Sequence, residues 1–250
     1  MYTAFASVYD RLMRDVDYDT WAAHYARLLG AAVNKSGRVC ECACGTGSLT
    51  VRLKRLGYQM TGVDLSQEML SEAMRKARDM GYTIPFVRQD MCKLSLHRRQ
   101  DAVLCTCDGL NYLTTPDRVR RFLSAAYAAL KPGGVLVMDL STPYKLKNTL
   151  GSNCLGCQDD DVSYVWQNSY RARTKTVDMH LSIFVRQEDG SYTRFEETQT
   201  QRAHTREEMT NYLENTGFTA IRFYGETAMR APRETDARWH IRAVKPKEKK

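Results

Sequence analysis

The stretch of chain at residues 40–47 reads CECACGTG and places three cysteines beside two glycines. Thiolates at such spacing could bind a metal, whereas glycines could bring the backbone close to a nucleotide. Cys40 and Cys42 lie two residues apart on a predicted strand and share a face, while Cys44 falls in the turn that follows. Thiols placed in this way cannot surround one ion tetrahedrally unless the turn breaks. The spacing therefore favours a nucleotide-binding turn.

A nucleotide-binding turn joins a strand to the next helix and needs glycines where the backbone bends sharply beside its ligand. Gly45 and Gly47 meet this need, and Asp64 ends the next predicted strand, where a carboxylate can hold ribose hydroxyls. A dinucleotide-binding turn would show three glycines as G-x-G-x-x-G, but Ala43 precedes this pair and Thr50 follows it. The pattern therefore fits a nucleotide-like ligand better than a dinucleotide.

The elements around this turn alternate between strands and helices. Short apolar runs predict strands at residues 38–42, 60–63, 84–87, 101–105 and 135–140. Helical spacing of apolar residues predicts helices at residues 49–56, 66–79 and 116–130, and two more between residues 5 and 33. Strands that alternate with helices form a parallel sheet covered on both faces. The sequence thus predicts an α/β fold.

The pattern changes after residue 143. Strand-like runs at residues 162–169, 176–185 and 191–201 follow one another without helices, which predicts an antiparallel insertion. A capping box at Thr205 then starts a helix that ends at Gly217, and strands follow at residues 219–224 and 238–244. We therefore predict one domain formed by residues 1–143 and 204–244, an insertion at residues 144–203 and a basic tail at residues 245–250.

Composition limits the classes of function. The chain has 250 residues, 43% of them hydrophobic, and no apolar run long enough for a membrane helix, so we expect a soluble protein without a membrane partner. Eight cysteines without a secretory signal favour reduced thiols and a cytoplasmic location. The pair Cys154 and Cys157 has no second pair at zinc spacing, and we expect no bound metal. A net charge of +8 is scattered in short clusters and does not by itself indicate nucleic-acid binding.

Residues 41–47 resemble the first motif of the class I S-adenosylmethionine-dependent methyltransferases, an acidic residue followed by G-x-G-x-G, with Ala43 in place of the first glycine. The turn LKPGG at residues 130–134 is also similar to that family. The segment FASVYD at residues 5–10, together with the insertion, resembles bacterial members that act on small substrates, some of them sugar N-methyltransferases. The segment DDDVSYVWQ at residues 159–167 resembles a group mostly named only as methyltransferases.

The resemblance implies a Rossmann-like, doubly wound sheet of seven mainly parallel strands, with the antiparallel β insertion as a substrate lid. It implies S-adenosyl-L-methionine as methyl donor and S-adenosyl-L-homocysteine as product. Asp64 would then hold the ribose, Leu65 and Met69 would flank the adenine, and Asp90 with Met91 would reach its amino edge. The other cofactor contacts that we predict are Tyr9, Trp21, Glu41, Ala43, Cys44, Gly45, Gly47 and Cys107.

The predictions for Ala43 and for the aromatic residues Tyr9 and Trp21 depend on their local structure. Because alanine disfavours a positive φ, we expect an extended backbone at Ala43, with the methionine moiety lying against it. Tyr9 and Trp21 lie on apolar helix faces, so they could be plain core residues; the resemblance favours a lid in which an aromatic face stabilises the sulfonium by cation-π attraction.

Methyl transfer depends mainly on positioning, and a base matters only where the acceptor must lose a proton. The loop at residues 107–113 follows the fourth predicted strand, at the sheet edge where open α/β folds bind ligands. We predict that Asp108, Asn111 and Tyr112 in this loop orient the acceptor, with Tyr112 as a proton acceptor, a hydrogen-bond donor or simply a wall. Gln199, which shares a strand face with Glu197 and Gln201, either faces water or binds the substrate.

A small-molecule acceptor is our preferred hypothesis, because an insertion over the sheet edge should enclose a small pocket. Two alternatives stay open. The charge would suit an RNA or ribosome-associated methyltransferase, although the sequence shows no appended RNA-binding module and has CDGL where base-amino methylators show an Asn-Pro-Pro-Tyr type of motif. The other alternative is a regulatory protein that binds the cofactor without turnover. The sequence does not indicate the methylated atom or the oligomeric state.

Overall fold

The structure is a computed structural model that describes residues 5–158 and 161–247. The first two residues of the DDDVSYVWQ segment and the last three of the predicted tail lie outside the described residues. The helices are α1 Phe5–Leu12, α2 Tyr18–Leu29, α3 Ser48–Arg55, α4 Gln67–Asp79, α5 Pro116–Ala129 and α6 Arg206–Thr216. The strands are β1 Arg38–Cys42, β2 Gln59–Asp64, β3 Phe86–Arg88, β4 Gln100–Cys105, β5 Leu130–Ser141, β6 Cys154–Cys157, β7 Val162–Arg171, β8 Thr176–Arg186, β9 Tyr192–Arg202, β10 Thr219–Gly225 and β11 Arg238–Val244.

The main sheet has seven strands in the order β10-β11-β5-β4-β1-β2-β3. Strands β1 to β5 are parallel to one another, whereas β11 runs antiparallel to both of its neighbours. The chain order reverses between β1 and β4, which is the switch point where open α/β sheets bind their ligands. The Rossmann-like, mainly parallel sheet that the sequence predicts is confirmed.

Helices cover both faces of this sheet. On one face, α5 and α6 bury Phe122, Leu123 and Met209 against the strands. On the other face, α2 and α3 bury Tyr25 and Leu53. Burial of a large apolar side chain contributes about 1.5–3 kcal/mol, so these layers fix the strand ends that carry the site. None of the described helices combines the length and the apolar character that a membrane-spanning helix needs.

The second sheet is antiparallel, with the order β6-β7-β8-β9. Its strand β6 was not predicted, because the short sequence CLGC contains a glycine and shows no clear alternation of apolar and polar residues. Helix α1 packs between this sheet and α4, where Phe5 and Val8 share a buried cluster with Met69, Val162 and Ile183. The insertion is therefore joined to the main domain through α1.

Candidate active site

A tight turn at residues 43–47, which we call the glycine turn, leads from β1 into α3. The Cys44 N–H donates to the Val63 carbonyl at 3.1 Å, and the Gly47 N–H donates to the Cys44 carbonyl at 2.9 Å. Gly45 has φ +54°, and a Cβ there would meet no atom within 4 Å. The missing side chain thus leaves open space beside the turn. At Gly47 a Cβ would lie 2.9 Å from the Ala73 Cβ, so that glycine serves helix packing.

The expectation of an extended backbone at Ala43 was wrong, because its φ is +53°. A left-handed residue other than glycine costs about 1–2 kcal/mol, which the surrounding structure must offset. The methyl group is accommodated because Gly109 faces it: a Cβ on Gly109 would lie 2.9 Å from the Ala43 Cβ. The glycine turn and the loop after β4 are therefore fitted to each other at this point.

Asp64 stands at the carboxyl end of β2, beside the glycine turn. One carboxylate oxygen accepts the Gly45 N–H at 2.8 Å, and the other accepts the Ser66 N–H at 2.9 Å. Burial raises the pKa of Asp64 above its ordinary value, although these backbone hydrogen bonds oppose the rise. The carboxylate thus holds the turn in shape and still has lone pairs for a ligand.

Glu41 is buried on β1, where it is only 1% exposed. The Thr106 hydroxyl donates to one carboxylate oxygen at 2.6 Å, and the Thr50 hydroxyl donates to the other. Burial raises the pKa of Glu41 to about 7, although both hydroxyl hydrogen bonds favour the charged form. A positively charged ligand group nearby would lower that pKa again.

A cavity of about 360 Å³ opens along the carboxyl ends of the strands, beside the glycine turn and α1, and Gln199 of the insertion also lines it. Many of the residues predicted to bind the cofactor line it, namely Tyr9, Glu41, Ala43, Cys44, Gly45, Asp64, Leu65, Met69, Asp90, Met91 and Cys107. Tyr112 and Gln199, predicted for the acceptor, also line it. The structure therefore brings residues from both predicted sets to one volume, of the size typical of small-ligand sites.

Trp21 is not among the residues that line this cavity. Its ring lies 4.8 Å from the Arg238 guanidinium carbon and makes an edge contact with the His240 ring. Tyr18, three residues earlier on α2, lines the cavity instead. Apolar spacing places both rings on a helix face without showing which of them reaches the strand ends.

Asp108 also lies outside the cavity lining, because its carboxylate is directed to charged partners. Arg238 donates to it through Nη1 and, at 3.0 Å, through Nη2, while the Lys145 ammonium lies 3.9 Å away. Although burial opposes the effect, Arg238 and Lys145 hold the pKa of Asp108 below its ordinary value. Arg238 also donates to the fully buried Asp139. Arg238 and Asp139 were not predicted as site residues, although Asp139 is a charge within the apolar run of β5 and was a usable signal.

Asn111 is fully buried, and its side chain forms hydrogen bonds with backbone groups. Its amide donates to the carbonyls of Ser141 at 3.0 Å and Arg202 at 2.9 Å, and its oxygen accepts the Ser141 N–H at 2.9 Å. These bonds connect the loop after β4 to β5 and to β9. Asn111 thus fixes the position of the loop, and the cavity lining does not include it.

Tyr112 connects the same loop to the insertion. Its hydroxyl donates to the Gln199 side-chain oxygen at 2.5 Å, and both residues line the cavity. Gln199 shares the inward face of β9 with Glu197 and Gln201, which are buried but do not line the cavity. Of the three alternating side chains, Gln199 is therefore the one placed to contact a ligand.

The cysteines near the glycine turn divide between core and cavity. Cys40 and Cys42 are buried in the cluster beneath α5 and α6, whereas Cys44 lines the cavity. Burial raises the pKa of the Cys44 thiol well above its ordinary value, so the protonated form is favoured. Cys154 and Cys157 are exposed on β6. Across residues 5–158 and 161–247, no group of three or more potential ligand side chains could hold a metal ion.

Comparison with known proteins identifies the family. Residues 39–134 match a family model described as "Methyltransferase domain". The chain is 36% identical to "Putative methyltransferase YqeM" of Bacillus subtilis (strain 168), over 99% of this chain and 98% of that protein. It also matches the crystal structure of an S-adenosylmethionine-dependent methyltransferase from Clostridium acetobutylicum ATCC 824, with a TM-score of 0.88 and 32% identity, over 98% of this chain and 99% of that one. The chain belongs to the S-adenosylmethionine-dependent methyltransferases.

A further relative of this methyltransferase covers only part of it. Glycine/sarcosine N-methyltransferase of Halorhodospira halochloris is 32% identical over 128 residues, which is 50% of this chain and 48% of that protein. The comparisons confirm the family that residues 41–47 resemble, and with it S-adenosylmethionine as the methyl donor.

The residues present fit such a cofactor. A Cβ on Gly45 would occupy free space beside the glycine turn, so the backbone there can approach a ligand closely. A carboxylate ends β2, and the apolar side chains of Leu65, Met69 and Met91 line the same cavity. These features match the polar and apolar parts of a nucleoside.

Proposed function

We propose that this methyltransferase transfers the methyl group of S-adenosylmethionine to a small molecule, at an amine nitrogen. The observation that carries the proposal is the cavity of about 360 Å³, whose lining comes from α1, the glycine turn and the segments that follow β2, β3 and β4, with Gln199 of the insertion. A walled cavity admits a small acceptor directly, whereas a folded RNA would have to extrude a base into it. The Halorhodospira relative is named as an N-methyltransferase, and this name supports an amine nitrogen as the methyl acceptor.

We infer that the chain holds the cofactor with the residues predicted from the sequence that line the cavity. Asp64 accepts the ribose hydroxyls, Leu65 and Met69 pack on the adenine, and Glu41 faces a cationic part of the methionine moiety. When bound, the cofactor supplies an electrophilic methyl group on a positively charged sulfur. Tyr9 presents an aromatic ring to that charge, an attraction of about 0.5–2 kcal/mol.

The hydroxyls of Tyr9 and Tyr18, which line the cavity, do not supply a base for the acceptor. Burial raises the pKa of Tyr9 well above its ordinary value and also raises that of Tyr18, so both hydroxyls stay protonated at neutral pH. Protonated phenols orient an acceptor by hydrogen bonds and are poor bases. A neutral amine needs no base before it attacks, whereas an alcohol does. Tyr112 and Gln199, which line the same cavity, then orient the acceptor.

Methyl-labelled S-adenosylmethionine incubated with a fractionated cell extract tests the acceptor. We expect label in the low-mass amine fraction with the unaltered enzyme and little with an Asp64→Ala control. Label confined to ribosomal RNA would contradict the proposal. Label in low-mass compounds without a methylated amine would retain the small acceptor and reject the nitrogen.

Loss of the Tyr112 hydroxyl should separate acceptor binding from cofactor binding. We expect Tyr112→Phe to lower kcat/KM for the acceptor by about tenfold or more, because a hydrogen bond that orients the acceptor is worth about 1.4 kcal/mol. Isothermal titration should show cofactor affinity within about twofold of the unaltered enzyme. Tyr144→Phe is the matched control, since Tyr144 is exposed outside the cavity lining. Equal loss of transfer and cofactor affinity in Tyr112→Phe would assign the residue to the cofactor.

The raised pKa of Glu41 predicts a pH dependence for cofactor binding. A cation beside the carboxylate favours its charged form, so binding below a pKa of about 7 requires release of a proton. We expect the affinity for S-adenosylmethionine to be about tenfold weaker at pH 6 than at pH 8. The Glu41→Gln variant should bind weakly at both pH values, with little difference between pH 6 and pH 8. Calorimetry in buffers of different ionisation enthalpy measures the proton release. A profile that is flat in the unaltered enzyme would show that Glu41 does not face the cation.

A further inference from the structure

Helix α1 is tied to the glycine turn by a polar cluster around Asp10. One oxygen of the Asp10 carboxylate accepts the Thr46 hydroxyl at 2.7 Å and the Ser48 hydroxyl at 3.4 Å. The other oxygen forms an ion pair with the Lys76 ammonium of α4 at 2.8 Å. Lys76 in turn donates to Ser48 at 2.5 Å and to Thr46 at 3.2 Å. A single carboxylate therefore joins α1 to the turn, to α3 and to α4.

The position of this cluster relates it to the cavity. Thr46 and Ser48 line the cavity, and both are almost fully buried. Phe5 and Tyr9, on the same helix as Asp10, line the cavity too, and their rings make an edge contact with centroids 5.4 Å apart. The helix that carries one wall of the cavity is thus bonded directly to the turn that forms another wall.

The two attachments of α1 differ in kind. Phe5 and Val8 pack in an apolar cluster with the insertion, through dispersion contacts that are individually weak. The bonds of Asp10 are charge-assisted and directional, and so they set the distance and angle between the helix and the turn. The side chain of Lys76 is 18% exposed and that of Asp10 is 37% exposed, so the ammonium is largely shielded from water although the carboxylate is not.

We propose that Asp10 is a positioning residue that holds α1, and with it Tyr9, closed over the bound cofactor, so that the spent cofactor leaves only when the bonds of Asp10 open. The inference rests on the cofactor site proposed above and is independent of the acceptor. It gives a role to the last residue of the FASVYD segment, which does not line the cavity.

Release of S-adenosylhomocysteine, measured by stopped flow after mixing with excess unlabelled ligand, tests this role without an acceptor. We expect release to be about tenfold faster from Asp10→Asn and from Lys76→Met, since each removes a charge-assisted bond. Lys76→Arg keeps the charge and should stay within about threefold of the unaltered enzyme. Asp79→Asn is the matched control, because Asp79 forms an exposed ion pair with Arg75 and does not line the cavity.

Hydrogen exchange of the same complexes separates failure of this inference from failure of the cofactor site. We expect Asp10→Asn to increase exchange at residues 5–12 while residues 44–48 stay protected by S-adenosylhomocysteine. Release at the unaltered rate from both Asp10→Asn and Lys76→Met would overturn the inference. Release from Asp79→Asn that is faster to the same extent would also overturn it. If the ligand leaves residues 44–48 unprotected in the unaltered enzyme, the cofactor site itself is wrong and the inference falls with it.

Discussion

Replacement of Arg238 by methionine is expected to lower the free energy of unfolding by about 3–5 kcal/mol, because it removes the guanidinium that pairs with the fully buried Asp139 and leaves Asp108 with only Lys145 nearby. Arg238 donates to both Asp108 and the fully buried Asp139, and its guanidinium lies over the Trp21 ring. Methionine fills part of the space but provides no donor. Urea denaturation at pH 7.5 measures the loss.

The pH dependence of this variant gives a second readout. Although burial opposes the effect, Arg238 is the main cause that lowers the pKa of Asp108. Without it the folded protein binds a proton at Asp108 more readily, so part of the missing stability should return as the pH falls. We expect a smaller deficit at pH 5 than at pH 8. Arg222→Met, on the paired strand β10, removes an exposed arginine and should change stability by less than about 0.5 kcal/mol. A deficit below about 1 kcal/mol in Arg238→Met would show that the carboxylates are hydrated.

The same cluster explains why the acceptor loop was only partly predictable. Asp139 accepts the backbone N–H groups of Cys107 at 2.8 Å and Asp108 at 2.9 Å. These two residues adopt left-handed conformations, with φ +53° and +64°. Local sequence does not show such a conformation, because it depends on a carboxylate from β5 and an arginine from β11. The sequence located the loop at the sheet edge but could not show that Asp108 faces the protein interior.

Periodicity predicted the main elements well, because each depends on residues close in sequence. The strand-turn-helix around Gly45 and the capping box at Thr205 follow from spacing and turn chemistry, and the structure has both. Contacts between segments that are distant in sequence were harder to predict. Tyr112 and Gln199 lie 87 residues apart and meet only because the insertion folds back over the sheet edge. Their separate positions were predictable, but their hydrogen bond was not.

Asp64→Ala is expected to weaken S-adenosylmethionine binding by about 2–3 kcal/mol, which corresponds to roughly 30- to 150-fold in Kd. Two losses contribute to this value. The variant lacks the carboxylate that we propose accepts the ribose hydroxyls, and it also frees the Gly45 N–H, which the carboxylate now binds at 2.8 Å. The glycine turn would then lose a constraint on the shape that the ligand requires. Calorimetry with the purified, folded variant measures the effect.

Asp64→Asn distinguishes these two losses. Its single side-chain oxygen can accept from Gly45 or from the ligand, so we expect an affinity between those of the unaltered enzyme and Asp64→Ala. Asp79→Ala is the control, since Asp79 forms an exposed ion pair with Arg75 at the end of α4. Unchanged affinity in a folded Asp64→Ala would remove the proposed cofactor site from the end of β2. An Asp64→Asn variant as weak as Asp64→Ala would mean that the negative charge, rather than the shape of the turn, determines cofactor affinity.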